Sequence, residues 1–169
     1  MALFCLIPGN PTTGDRIYSI LHREGKGLTH ETRSEIVTSV LSLSREYDMN
    51  PMLIVAIMKV ESHFNLRARS QVGAKGLMQV MPIVVKEISG EMRLPESHRD
   101  ALYHATFNLR VGVHYLANLI ERFDGDLTKA LIAYNRGPTA VARNYRNRPI
   151  PLNGYARKVL SAYRDYLGS

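Results

Sequence analysis

Asn50-Pro51-Met52-Leu53-Ile54-Val55-Ala56-Ile57-Met58-Lys59-Val60-Glu61-Ser62-His63-Phe64 is the stretch on which the reading of this chain turns. Asn50 is a residue type that caps helix N-termini, and Pro51 suits the first helical position, where its missing N–H costs nothing. The spacing then predicts a helix from Met52 to Phe64 that is apolar for most of its length, with its polarity gathered at the end. On such a helix Ile54, Ile57 and Phe64 share one stripe with Glu61, the stripe that should face inwards. Other acidic residues keep polar company: Glu46 lies beside Arg45 and close to Asp48, and Asp124 and Asp126 flank Gly125. A carboxyl group in dry surroundings resists ionisation, so Glu61 is expected to have a raised pKa and to stay partly protonated near neutrality, as a general acid requires. The competing reading is a structural carboxylate paired with Arg67 or Arg69; helix periodicity does not separate the two.

Working outward, Thr29 is a suitable N-cap for a first long helix in which Ile36, Val37, Val40, Leu41, Ser44 and Tyr47 follow helical spacing up to Asp48. Before it, Pro8, Gly9, Pro11, Gly14, Gly25 and Gly27 surround the short apolar patch Ile17, Ile20 and Leu21. Residues 1–28 therefore read as an N-terminal arm holding a short helix, ahead of a domain over 29–169. Gln71 to Val80, with Gly73 and Gly76, lacks helical periodicity and reads as a loop or small hairpin. Pro82 opens a helix that Gly90 is expected to close, and Ser97 to Phe123 reads as helix, either continuous or broken near Ala105. Asp126 caps a helix running through Leu127, Ala130, Leu131 and Tyr134 to a C-capping Gly137, and short helices over Thr139–Tyr145 and Tyr155–Leu167 complete the chain. With no Trp, four Phe and nine Tyr, the core must rest on Leu, Ile, Val, Met and Ala, a mixture that favours helices. The 169 residues, 45% of them hydrophobic, suffice for one sizeable core, and the sum is a single, mainly α-helical domain.

A net charge of +7 would attract nucleic acid, anionic lipid headgroups or an acidic cell-wall polymer, although dispersed charge equally serves solubility. The basic residues are scattered, and no helix-turn-helix, zinc or aromatic RNA-binding pattern accompanies them, so no nucleic-acid partner is expected. Cys5 is the only cysteine, which excludes an intramolecular disulfide and suggests an inert thiol. The opening Met1-Ala2-Leu3-Phe4-Cys5-Leu6-Ile7-Pro8 is too short for a secretory apolar region and lacks a basic lead, and Phe4 before Cys5 disfavours a lipoprotein cleavage site. The longest later apolar run, Met52 to Met58, falls far short of a membrane span. The six histidines show no recognisable ligand spacing, so no metal is expected.

Downstream of the helix, Glu61-Ser62-x-Phe64-Asn65 is followed by Ala68-x-Ser70-x-x-Gly73-Ala74-x-Gly76-Leu77-Met78-Gln79-Val80-Met81-Pro82. Further on come Asn108-Leu109-x-x-Gly112-x-x-Tyr115-Leu116-x-x-Leu119, then Ala133-Tyr134-Asn135-x-Gly137-Pro138-x-Ala140-Val141, and finally Tyr155-x-x-Lys158-Val159-Leu160. This ordered series, covering roughly residues 30 to 165, closely resembles the soluble lytic transglycosylases. The resemblance implies a lysozyme-like, mainly α-helical fold in which the loop or hairpin forms one side of a groove for alternating N-acetylglucosamine and N-acetylmuramic acid. It also implies Glu61 as catalyst, with Ser70, Gln79, Met81 and Tyr134 lining the site, and no organic cofactor. Gly73 and Gly76 would let backbone approach the sugar, or merely form a turn, while Gln79 could donate and accept hydrogen bonds, or be a surface amide. Met81 would offer a flexible apolar face or be core, and Tyr134 would direct its hydroxyl at the Glu61 carboxyl group or pack in the core. Asn135 is as easily structural as ligand-facing.

Three departures from the family pattern stand out. Arg136 occupies a place usually taken by a small residue, Val84 stands where Thr is common, and the Glu that many relatives carry near Pro151 is missing, which bears on stem-peptide preference. Glycoside cleavage usually employs two carboxylates, and here one persuasive candidate stands alone. A lytic transglycosylase needs only one, because the muramic acid's own 6-hydroxyl attacks and closes a 1,6-anhydro ring. The expected substrate is peptidoglycan and the expected location the periplasm or cell envelope, with a monomer able to dock on an envelope machine. The rivals are a goose-type lysozyme, which cleaves the same bond with water, and a non-catalytic wall-binding or nucleic-acid-binding module.

Overall fold

The computed structural model describes residues 11–92, 101–145 and 150–168, the side chain of residue 144 apart. Cys5 and the expected helix start at Ser97 lie outside the described residues. The helices are α1 (Thr13–Glu24), α2 (His30–Glu46), α3 (Pro51–Ser62), α4 (Pro82–Met92), α5 (Ala105–Arg122), α6 (Leu127–Arg136), α7 (Pro138–Tyr145) and α8 (Gly154–Gly168), with a short 3-10 turn over Ala101–Tyr103 before α5.

Local chemistry sets most of these bounds. Thr29 accepts from the Thr32 amide at the start of α2, Asn50 from Met52 at the start of α3, and Asp126 from Lys129 at the start of α6. The α3 helix stops where His63 takes the left-handed conformation, φ 51°. The α4 helix differs from expectation by running past Gly90 to Met92. Met92 is buried with Val84, Val85 and Ile88, and that burial outweighs the roughly 1 kcal/mol that a glycine costs inside a helix.

The α3 helix is the axis of the domain: Met52 through Met58 are all buried, so it is surrounded rather than half-solvated. It packs against α2 and, most extensively, against α8, which contributes Ala156, Val159 and Tyr166 to the core. The α1 helix belongs to the same core, since Ile17, Ile20 and Leu21 are buried against it. Arg16 Nη2 donates to the Tyr166 carbonyl at 2.7 Å, and Glu24 accepts from Lys59 Nζ and from the Tyr166 hydroxyl, each at 2.8 Å, so α1, α3 and α8 are tied together.

Between α3 and α4 the chain forms a hairpin-like loop in which Lys75 and Val80 exchange both backbone hydrogen bonds at 3.0 Å. Its apolar tip, Leu77 and Met78, is fully buried, so the loop is wedged into the domain. Two side chains pin it. Ser62 Oγ donates to the Leu77 carbonyl at 2.8 Å, Asn108 Oδ1 accepts from the Met78 amide at 2.7 Å, and Asn108 Nδ2 donates to the carbonyls of Lys75 and Leu102 at 2.8 and 2.9 Å. Gly76 makes this approach possible: its φ is +76°, and a Cβ there would lie 2.2 Å from the Leu102 carbonyl oxygen.

Candidate active site

The buried axis explains why Glu61 sits where it does. The α3 helix is apolar because it crosses the core, and its last turn emerges beside the pinned loop, carrying one carboxyl group that is only partly exposed. From α8, the Tyr155 hydroxyl donates to Glu61 Oε1 at 2.6 Å. Burial raises the Glu61 pKa from its ordinary 4.5 to about 7, the Tyr155 hydrogen bond pulling weakly the other way. The same burial, with the neighbouring Glu61 charge, lifts the phenols of Tyr155 and Tyr134 well above their usual range, so both remain hydrogen-bond donors at any working pH. Among the described residues Glu61 makes no ion pair; Arg67 stacks over the Tyr103 ring at 5.6 Å instead.

The expected side chains take up more varied roles than their sequence pattern suggests. Tyr134 is next to Glu61, but its hydroxyl donates to the Met78 carbonyl at 2.9 Å, so the expectation that it points at the Glu61 carboxyl group is corrected. The reason is geometric: the wedged loop presents an otherwise unpaired carbonyl to α6, and a buried hydroxyl pairs with it. Tyr155 holds the carboxyl group instead. Gln79, in the left-handed conformation with φ 48°, donates from Nε2 to the carbonyls of Ala68 and Gly76 at 3.1 and 3.0 Å. Both of its donors are thereby spent on the loop, and the expected donor role toward a ligand narrows to acceptance through Oε1. Ser70 Oγ accepts from the Ala74 amide at 3.0 Å and closes the loop's first turn.

Gln79, Met81, Tyr134 and Asn135 nevertheless line one cleft of about 400 Å³, together with Tyr115, whose ring centroid lies 5.6 Å from that of Tyr134. Ser70 and Glu61 are not in its wall; Tyr134 stands in the cleft wall and beside the carboxyl group. The two residues that sequence reasoning missed are Tyr155, read only as part of the closing helix, and Asn108, read only as part of a helical pattern. Tyr155 lies 94 residues from Glu61, and no local pattern reports a contact of that separation.

Replacing Tyr155 by Phe leaves packing nearly unchanged and removes the one donor to Glu61 Oε1 among the described residues. Loss of a hydrogen bond that favours the carboxylate moves the Glu61 pKa further up, so the pH at which activity declines should shift to the alkaline side while kcat drops roughly tenfold. A pH profile of glycan turnover in Tyr155→Phe checks this; an unchanged profile would mean that the hydroxyl does not tune the acid.

Comparison with known proteins places this helical domain, with its desolvated Glu61 next to a tyrosine of the cleft wall, in a known family. Residues 39–151 match the family model described as the Transglycosylase SLT domain, and the chain belongs to that family. It is 34% identical over 94 residues to the transglycosylase of Enterobacteria phage PRD1, covering 56% of this chain and 32% of that protein. It is 29% identical over 143 residues to the soluble lytic murein transglycosylase of Salmonella typhimurium, covering 74% of this chain and 22% of that protein. Among solved structures, the lytic transglycosylase Slt of Pseudomonas aeruginosa superposes with a TM-score of 0.68 at 30% identity, over 76% of this chain and 23% of that one. The fold is thus lysozyme-like, and the chain spans about a third or less of the length of these relatives.

Proposed function

We propose that this chain is a peptidoglycan lytic transglycosylase, cleaving the β-1,4 bond between N-acetylmuramic acid and N-acetylglucosamine and leaving 1,6-anhydromuramic acid ends. The observation that carries the reading is the Glu61 carboxyl group, whose pKa burial raises to about 7, next to Tyr134 in the wall of a cleft able to take sugar rings. Near neutrality such a group can both give and take a proton. The protonated Glu61 donates to the glycosidic oxygen as the muramyl C1–O bond breaks. The resulting carboxylate accepts the proton of the muramyl 6-hydroxyl as that oxygen bonds to C1. Atoms balance without an activated water, which suits a site where burial, and no second carboxylate among the described residues, sets the Glu61 pKa.

Around that step, Tyr155 orients the acid and Tyr134 ties the Met78 carbonyl of the pinned loop to α6. Met81 and Tyr115 offer apolar surface to a pyranose face, and the Gln79 carbonyl oxygen and Asn135 are available to acetamido or hydroxyl groups. The chain acts on peptidoglycan in the cell envelope, as a monomer able to dock on envelope machinery. Among the described residues no helix is long and apolar enough to cross a membrane.

Mass spectrometry of digested cell-wall sacculi tests the reading in one step. Anhydromuramic ends are expected; reducing ends would assign the chain to hydrolysis, as in goose-type lysozymes, and binding without cleavage would make it a wall-binding module.

A further inference from the structure

Arg136 is the feature that the proposed chemistry does not use. It ends α6, between Asn135 and Gly137, and its side chain lines the 400 Å³ cleft that holds Met81 and Tyr134. It also lines a second, smaller depression of about 220 Å³ whose walls include Ile132, Val141, Ile150 and Leu152. One exposed guanidinium therefore stands in the wall common to both hollows. Among the described residues it makes no ion pair, and the one other charged side chain in the larger cleft is Glu87. A cation near a helix C-terminus is favoured by the helix dipole wherever it points, which accounts for the residue type but not for its place between two hollows.

We propose that Arg136 is a specificity-determining residue that binds a carboxylate on the substituent at O3 of the muramyl unit. The inference rests on the transglycosylase reading. The sugar rings themselves are neutral, so an unpaired guanidinium beside their cleft has no partner in the glycan backbone. The O3 lactyl group does carry a carboxyl group. On strands without peptides this group is free; on strands with peptides it is amide-linked, and the peptide's own carboxylates supply the charge. A guanidinium matches either through two parallel N–H···O bonds. The second depression, walled in part by Ile132, Val141, Ile150 and Leu152, would receive the small aliphatic groups that flank such a carboxylate. Nothing acidic near Pro151 competes: the described positions there are Ile150, Pro151, Leu152 and Asn153.

The test is steady-state kinetics of the full chain, Arg136→Gln and Arg136→Lys on three glycan preparations: peptide-free strands, strands with free-carboxylate peptides, and strands with the peptide carboxylates chemically amidated. The proposal expects Arg136→Gln to raise KM about tenfold on a free-carboxylate preparation and less than about twofold on the amidated one, with kcat little changed and Lys restoring part of the loss. A penalty confined to peptide-free strands identifies the lactyl carboxylate as the ligand; one confined to peptide-bearing strands identifies the peptide. Equal KM changes on amidated and free-carboxylate strands, or no change on any, would overturn the proposal. Wild-type protein that cleaves none of the three would overturn the transglycosylase reading itself, an outcome distinct from a wild type that cleaves all three without discrimination by Arg136.

Discussion

Glu61→Gln should lose turnover of glycan strands by at least about a thousandfold while still binding them, and should be more stable than the parent at alkaline pH. The activity loss follows because glutamine keeps the shape and can still accept from Tyr155, yet has no proton to give to the leaving oxygen and no basic oxygen to take one back. General acid and base steps are each worth about a hundredfold or more, and here one atom pair performs both. The stability gain follows from linkage. Folding raises the Glu61 pKa from 4.5 to about 7, so the folded state holds a proton that the unfolded chain has released. The group therefore contributes its full stability below about pH 4.5, and that contribution is lost as pH rises through about 7. At pH 8 the parent bears a cost of about 3 kcal/mol that the neutral amide does not. Urea denaturation at pH 5 and pH 8 checks this: the variant should gain on the parent far more at the higher pH, and a gain equal at both would point to packing rather than charge.

The second large effect belongs to Asn108, which is fully buried and uses both ends of its amide on the loop. Asn108→Ala strands the buried Met78 amide and Leu102 carbonyl, and takes from the Lys75 carbonyl one of its two donors, the Val80 amide remaining. Each such loss costs about 1 to 3 kcal/mol, so a destabilisation of about 3 to 5 kcal/mol is expected, with Tm lower by about 10 °C. Turnover should fall as well, because the loop that Asn108 fixes also presents the Met78 carbonyl to Tyr134. Asn118→Ala is the matching control: its amide binds the exposed Glu91 carboxylate at 3.1 Å, and its loss should cost less than about 1 kcal/mol. Thermal melts of the two variants side by side decide whether the buried network, rather than any asparagine on α5, holds the loop.

What could be read from the sequence was what depends on near neighbours. Thr29, Asn50, Asp126 and Gly137 mark helix ends through bonds spanning a few residues, and each does so in the structure. The dryness of Glu61 was legible for the same reason, since a helix places Ile54, Ile57 and Phe64 on its stripe, and all three are buried. The partners of polar atoms were not legible. Tyr155 reaches Glu61 across 94 residues and Tyr134 reaches Met78 across 56, separations that no periodicity encodes. The sequence pattern put Tyr134 near the acid without saying which atom its hydroxyl would meet. Likewise, the glycines and prolines around α1 suggested an arm holding a short helix, but flanking composition says nothing about whether an apolar face finds a partner. The face of Ile17, Ile20 and Leu21 finds one in the core beside α2.

The proposed chemistry depends on the Glu61 carboxyl group being half protonated near neutrality, which an NMR titration of its carboxyl carbon in the folded protein measures directly. A midpoint close to pH 7, moving upward in Tyr155→Phe, is the result this account requires. A midpoint at the ordinary 4.5 would show a solvated carboxylate, unable to protonate the glycosidic oxygen at working pH, and would contradict it.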